Sequence, residues 1–438
     1  MLIAEPELLA NILHKDFKKF PNRRVYELKS CPFDTSLSQL EDPSEWYQTR
    51  EMLSTVFNDN SLRRMYEHMN DNCSVLLKNV AGSINDNPLQ LKRFFDAYSL
   101  DSIANSAFGL HLDTFHDTHH LFIHHSKQIQ QSSAFSRPLF VTSMLPWMAP
   151  LFNYFNVGLF PTESMQYFRN TVEKSVESMS QIPLALQKHT LLNGVLEAHK
   201  RNVHHEENMQ ENGNNNDMKG IRHVNKAAEA SPDQIMAQTL GFLLAGYETT
   251  STALCLICYA IATHTSAQDE LIKEIDQLED NDSISYDAIM KMEYLDMVIK
   301  EALRLYPPTV VFDRVCSETV QYESITIPAG MTVCIPVWSI HRDSKYWTNP
   351  HKFNPHRFKS HITQCSYLPF GGGPRNCIAM EFVLLQIKLA ILHLLRLYRL
   401  ETCLETQVPP VLGSTGLLTP RDGVILKLVS RNSASRQV

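Results

Sequence analysis

Apolar positions recur at helical spacing over most of the chain. The longest run follows "SPDQ", where Ser231 can act as N-cap, Pro232 as first helical residue and Gln234 as capping-box partner. "IMAQTLGFLLAGYETTSTALCLICYAIATH" then predicts one helix to about His264, roughly 50 Å long at 1.5 Å per residue. It is apolar on nearly every face, so it is either a central buried helix or a membrane span. Gln238, Thr239, Glu248, Thr249, Thr250, Ser251 and Thr252 interrupt it and favour burial in protein. A second helix start is "DPSEWYQTR", with Asp42 as N-cap, Pro43 at the first position, and Trp46 and Arg50 on one face. Near residues 319–338 the period changes. "TVQYESITIPAGMTVCIPVW" alternates β-branched residues around a Pro-Ala-Gly turn and predicts a hairpin. The N-terminal "MLIAEPELLANILHKDF" predicts a short strand and then a helix. Glu5, Glu7 and His14 break its apolar residues, which excludes a signal peptide or a span there. There are no internal repeats. The fold class is mainly α with small β-sheets.

Two stretches depart from this pattern. Residues 201–231 are rich in Asn, Glu and His with almost no large apolar residues, and predict a mobile polar loop between two helical blocks of one domain. Residues 137–161 are aromatic and apolar but broken by prolines. They suit a core segment and a surface loop dipping into a membrane face equally well.

The chain has 438 residues and a formal net charge of -7. That length allows one large domain or two, and the mildly acidic balance carries no nucleic-acid footprint. Nine cysteines at irregular spacings argue against a disulfide framework and for a reducing compartment. Cys255 and Cys258 form a CxxC with no second pair at zinc spacing, which points to two small apolar residues on a buried helix.

One cysteine has an unusual setting. "LPFGGGPRNCIAM" (368–380) places Cys377 after three glycines and at the mouth of an apolar helix. A thiolate can be a nucleophile, a redox partner or a metal ligand. A nucleophile wants a general base, and the loop has no His. A redox site wants a resolving partner, and Cys365 lies outside any motif. A thiolate ligand to haem iron wants a lone buried sulfur among backbone N–H groups, which glycines and a helix N-terminus supply. Arg375 could pair with a haem propionate. No Gly-Lys-Ser/Thr follows, and Asn376 occupies the third glycine position of GxGxxG, so a phosphate loop is excluded.

"FGGGPRNCIAM" resembles the haem-thiolate signature of the cytochromes P-450, Phe-Gly-x-Gly-x-Arg-x-Cys-x-Gly. Phe370, Gly371, Gly373, Arg375 and Cys377 match, and Ala379 stands where glycine is usual. Three further motifs agree. "KEALRLYPP" and "FNPHRF" supply Glu301, Arg304 and Arg357, which resemble the family's structural Glu-Arg-Arg triad. "AGYETT" (245–250) resembles its oxygen-activation motif, with Ala245 in a helix groove, Glu248 as acid and Thr249 as alcohol. An alcohol there can donate a hydrogen bond to reduced dioxygen while the acid relays protons, and it can also bond back one turn. Trp46 and Arg50 resemble the Trp-x-x-x-Arg pair that binds a haem propionate. Arg23 and Arg314 look like further propionate contacts.

The resemblance covers nearly the whole chain and is strongest to the animal family-3 P-450s and thromboxane synthase. It implies one catalytic domain over 1–438, with haem b between the long central helix and the cysteine-loop helix and Cys377 as metal ligand. It also implies a site on the cytoplasmic face of the endoplasmic reticulum membrane, with residues 138–160 touching that surface. Electrons would come from NADPH through a flavoprotein reductase, with cytochrome b5 as a second partner. The expected reaction is insertion of one oxygen atom from O2 into a steroid, lipid or xenobiotic. Leu244, Thr309, Val310, Phe312, Thr415 and Leu417 would line the pocket. By the same resemblance the chain starts near the second strand of the family's main sheet, without the anchor, first helix and first strand. Two alternatives accompany this reading: a haem-thiolate endoperoxide isomerase, and a non-catalytic haem-binding fragment.

Overall fold

The computed structural model describes residues 1–24, 33–86, 88–135, 141, 145–155, 158, 160–180, 190, 192–195, 232–278, 284–323, 325–414 and 417–431. The polar loop expected over 201–231, the Ser231 cap and Thr415 lie outside these residues. Helices dominate: α1 (Pro6–Ala10), α2 (Pro43–Ser54), α3 (Asp59–Gly82), α4 (Leu91–Phe108), α5 (Leu121–Phe135), α6 (Ala149–Tyr154), α7 (Thr162–Ser180), α8 (Pro232–Thr263), α9 (Thr265–Asp276), α10 (Tyr286–Met290), α11 (Glu293–Leu305), α12 (Val337–Ile340) and α13 (Met380–Leu397). Asp42 caps α2 as expected, accepting from the amides of Ser44 and Glu45.

The all-round apolar pattern of α8 has a plain cause. Every residue from Thr250 to Ala262 is buried, including Cys255 and Cys258. α8 would be long and apolar enough to cross a membrane by composition. Here α4, α7, α11 and α13 pack around it instead, and the buried residues of α3, α4, α8, α11 and α13 form one continuous core. Burial of each large aliphatic side chain contributes about 1.5–3 kcal/mol, so this helix organises the fold.

The strands are short. β1 (Leu89–Gln90), β9 (Ile425–Ser430) and β6 (Tyr398–Glu401) form an antiparallel sheet in that order. β2 (Phe312–Val315) pairs with β5 (Thr332–Ile335), β3 (Val320–Tyr322) with β4 (Ile325–Ile327), and β7 (Leu412–Ser414) with β8 (Leu418–Pro420), all antiparallel. The hairpin expected around the Pro-Ala-Gly turn is placed differently. Its paired strands are β3 and β4, whereas Pro328–Gly330 lead from β4 into a separate sheet. Gly330, at φ 78°, makes that corner, and its amide returns to the Cys316 carbonyl at 2.7 Å. Leu2 bridges Cys334 in parallel, so the expected N-terminal strand is a short edge on β5. α1 runs on into a π-helical turn, Asn11–Lys15.

A second buried cluster joins this N-terminal segment to the β2–β5 sheet: Ile3, Leu9, Ile12, Leu13 and Phe20 pack with Val333, Ile335 and Leu368. The cysteine loop lies on the seam. Leu368 belongs to the second cluster, while Phe370, Ile378 and Ala379 pack on the main one. Of the aromatic run, Leu145, Trp147, Leu151, Tyr154 and Phe155 are exposed, whereas Ala149 and Phe160 are buried.

Candidate active site

Three backbone hydrogen bonds fold the loop around its cysteine. The Gly371 amide donates to the Leu368 carbonyl at 3.1 Å, Asn376 to Gly373 at 3.0 Å, and Cys377 to Phe370 at 2.9 Å. Gly371 and Gly373 have φ of 74° and 71°. At Gly373 a Cβ would stand 1.9 Å from the Leu13 carbonyl oxygen, so backbone meets backbone and only glycine fits. Ala379 has φ -94°, which any residue adopts, and this explains why alanine serves where the related signature has glycine. Cys377 keeps some accessible surface although protein surrounds it. Burial pushes its thiol pKa up, while the Ala379 amide and the Arg50 and Arg23 guanidinium groups pull it down. A metal cation at the sulfur would complete the shift to thiolate.

Four arginines converge on this loop. Arg50 on α2 donates twice to Asn376, to its carbonyl and to its side-chain Oδ1, both at 2.7 Å. Arg375 reaches the Leu40 carbonyl at 2.8 Å and lies 4.6 Å over the Trp46 ring. Arg23 donates to the Arg375 carbonyl at 3.1 Å, and Arg314 to the Gly372 carbonyl at 3.3 Å. Trp46 and Arg50, expected on one face of α2, thus both meet the loop. The buried Nε atoms of Arg23, Arg314 and Arg375 have no hydrogen-bond partner. Burial, then mutual repulsion within the cluster, pushes Arg314 and Arg375 down to about 9. Asp313 offsets part of this at Arg23 and Arg314. Buried guanidinium groups with orphaned donors call for an anion. The two propionates of haem fit that demand, and the lone cysteine fits its iron.

Glu301, Arg304 and Arg357 are brought together. Glu301 and Arg304, one turn apart on α11, are both fully buried and form a two-point pair at 2.7 and 2.9 Å. Arg357 adds a third contact to Glu301 at 2.9 Å, and the Asn354 amide a fourth at 2.8 Å. Arg304 then donates to the carbonyls of His341 and Pro350, each at 2.7 Å.

The N-terminal half of α8 differs from its buried half. Gly241, Ala245 and Thr249 lie one turn apart and keep accessible surface, and Ala245 is exposed in mid-helix. An added Cβ on Gly246 would meet Ile103 at 2.1 Å, so α4 closes against this turn. The Thr249 hydroxyl donates back to the Ala245 carbonyl. Burial raises the Glu248 pKa, with Lys92 opposing and Asp96 reinforcing the shift. Lys92 and Asp96 form an ion pair on α4, and Lys92 donates to Ser251 at 2.9 Å. Of the expected pocket residues, Phe312 lies on the same face of β2 as Arg314, whose guanidinium sits 5.2 Å over its ring. Leu417 precedes Leu418, whose amide donates to Pro308 beside Thr309, and Val310 accepts from Trp338. Leu244 packs on the main core.

Sequence reasoning missed Asn376, Leu13, Lys92 and Asp96. Leu13 had no local signal, because its carbonyl matters only through contact with Gly373. Lys92 and Asp96 show i,i+4 spacing, which reads as a surface pair until α8 is seen beside it.

A half-buried cysteine at a helix N-terminus, an arginine cluster around it with few carboxylates, and an acid and alcohol on the central helix fit a haem-thiolate oxygenase. The chain belongs to the cytochrome P450 family, whose sequence pattern matches residues 1–428, and it is a P450 monooxygenase with haem iron as its cofactor. It is similar to cytochrome P450 3A17 of Cavia porcellus, at 34% identity over 441 aligned positions covering 99% of this chain and 83% of that protein. Cytochrome P450 3A14 of the same species is 35% identical over 443 positions, covering 100% and 84%. Cytochrome P450 3A5 of Homo sapiens is 34% identical over 442, covering 99% and 83%.

The arginine cluster generates a prediction with opposite signs. Arg314→Leu removes one of several like charges from a buried site, so the haem-free protein becomes more stable to denaturant. If Arg314 meets a propionate as expected, the same change also removes a charge-assisted bond, and haem transfer to apomyoglobin speeds up about tenfold. Slower or unchanged haem loss would remove Arg314 from the propionate site.

Proposed function

We propose that this enzyme holds haem through Cys377 and inserts one oxygen atom of O2 into a lipophilic substrate, using electrons from NADPH through a flavoprotein reductase. The observation that carries the reading is the lone cysteine set among buried guanidinium groups with unpaired Nε donors. Bound there, haem supplies dioxygen binding and activation, with thiolate donation favouring O–O cleavage. Arg23, Arg50, Arg314 and Arg375 orient it through its propionates, and Trp46 backs Arg375. The chain's own residues manage protons. Glu248, whose pKa burial raises, keeps its proton closer to neutral pH and can donate it. The Thr249 hydroxyl, bonded to the Ala245 carbonyl, would turn from it to donate a hydrogen bond into the site. Leu244, Val310, Phe312 and Leu417, carried over from the family resemblance, are the apolar residues proposed to face a steroid, lipid or xenobiotic.

Two surfaces support the partners. A cleft of ≈ 370 Å³ beside the loop is lined by His14, Lys15, Asp16, Phe17, Lys18, Lys19, Tyr47 and Pro374, so three lysines face one carboxylate. Its positive charge next to the cysteine loop suits an acidic electron donor such as the reductase, with cytochrome b5 as a second donor. The exposed Trp147, Leu151, Tyr154 and Phe155 suit a bilayer surface, which supports the reading that the enzyme works at the cytoplasmic face of the endoplasmic reticulum membrane. Replacing Trp147, Tyr154 and Phe155 by Ser weakens flotation with lipid vesicles. Unchanged flotation would reduce that patch to an ordinary surface.

The reduced, CO-bound protein shows the red-shifted Soret band of thiolate ligation. Cys377→Ala abolishes it, and Cys365→Ala keeps it. Retention of the band in Cys377→Ala would overturn the ligand assignment.

Thr249→Ala tests the reaction itself. General acid–base assistance is typically worth about 10²–10⁴-fold. Product formation with reductase, NADPH and O2 therefore falls by an amount in that range, and reducing equivalents leave as hydrogen peroxide. The CO spectrum stays intact, and an organic peroxide restores part of the turnover without the reductase. Parent-like yield and peroxide leakage would remove this role from Thr249. Endoperoxide isomerisation without NADPH would then be the activity to assay.

A further inference from the structure

The buried His341 takes no part in the chemistry above. It caps the C-terminus of α12 and is fully buried. Both ring nitrogens are engaged. Nδ1 lies 3.0 Å from the Arg304 carbonyl oxygen, and Nε2 lies 2.7 Å from the Leu368 amide nitrogen. A carbonyl only accepts and an amide N–H only donates, so Nδ1 carries the proton and Nε2 is a bare acceptor. The His341 carbonyl accepts from the Arg304 guanidinium at 2.7 Å, and its ring stacks on Tyr367 with centroids 5.4 Å apart. The charged neighbours are Arg304 on α11 and the adjoining Arg342. Burial, aided by these two cations, pushes the ring down to about 3, so it stays neutral and the acceptor stays free.

We propose that His341 is a positioning residue for the cysteine loop, fixing Leu368 to the buried Glu301–Arg304 pair and so setting how Cys377 presents its sulfur. The connection is continuous. Glu301 holds the Arg304 guanidinium, Arg304 holds both the carbonyl and the ring of His341, and the ring holds the Leu368 amide. The Leu368 carbonyl takes the Gly371 amide, and the Phe370 carbonyl takes the Cys377 amide. The Leu368 amide is buried, and without the ring nitrogen it would lose its partner. The inference rests on the assignment of Cys377 as ligand only for its spectral consequence, since the link itself exists in the haem-free protein.

Two substitutions separate the link from simple packing. The longer side chain of His341→Gln can bring its carbonyl oxygen to the Nε2 position and accept from Leu368. His341→Asn keeps a donor near the Nδ1 position but does not reach Leu368. In the haem-free protein, hydrogen exchange at the Leu368 amide rises about tenfold in the Asn variant and stays near the parent in the Gln variant. In the haem-loaded protein, the Asn variant loses the thiolate-type CO band after reduction about tenfold faster than the Gln variant. Equal exchange in the two variants would overturn the proposal. Absence of the thiolate band in the parent would overturn the ligand assignment instead, and would leave the exchange result standing. If either variant fails to fold, 15N shifts of the parent's histidine rings decide. A neutral Nδ1–H tautomer at pH 5 supports the link, and an Nε2–H tautomer or a charged ring overturns it.

Discussion

The rest of this structure depends on an unbalanced buried charge. Arg23, Arg314 and Arg375 crowd one loop with their Nε donors unpaired. Cys377 lies within the field of Arg23 and of Arg50. Burying a guanidinium without a partner costs more than any neutral contact nearby returns. The fold therefore has to hold these groups in place by other means until an anion and a metal cation complete the site.

A second set of arginines shows the contrast. Arg304 and Arg357 converge on Glu301, and their remaining donors go to main-chain carbonyls. Nothing there is left to bind a ligand. Breaking that pair would strand a buried charge at a cost of about 3–5 kcal/mol, so the triad is a rigid joint. It stands where α11, the segment after α12 and the approach to the cysteine loop meet. One group of arginines is thus consumed by structure, and the other keeps buried Nε donors unpaired, as the proposed cofactor site requires.

The central helix divides in the same way. From Thr250 onward every side chain of α8 up to Ala262 is buried, which anchors it between α4 and α13. Just before that point Ala245 and Thr249 keep accessible surface, and Glu248 lies near the Lys92–Asp96 pair of α4. The turn proposed to handle protons sits at the boundary between the two halves. A buried segment thereby fixes the position of the Thr249 hydroxyl and the Glu248 carboxyl.

Local patterns in the amino-acid sequence were sufficient for the helical class, the course of α8, the Asp42 cap and the residues of the cysteine loop. Each depends on neighbours within a few positions: periodicity, a capping side chain, or glycines that permit positive φ. The Glu301–Arg304 spacing was legible too, while its burial followed from the family resemblance and not from the spacing. The tertiary structure alone decided that Pro328–Gly330 turn a corner between sheets and do not close a hairpin. It alone decided that Gly373 must be glycine because of the Leu13 carbonyl, that Lys92 and Asp96 stand beside Glu248, and that His341 ties Arg304 to Leu368. These contacts join residues far apart in the chain, and no local rule carries information about them. Their free energy comes from desolvation and shape at the meeting point, which exist only once the elements have packed.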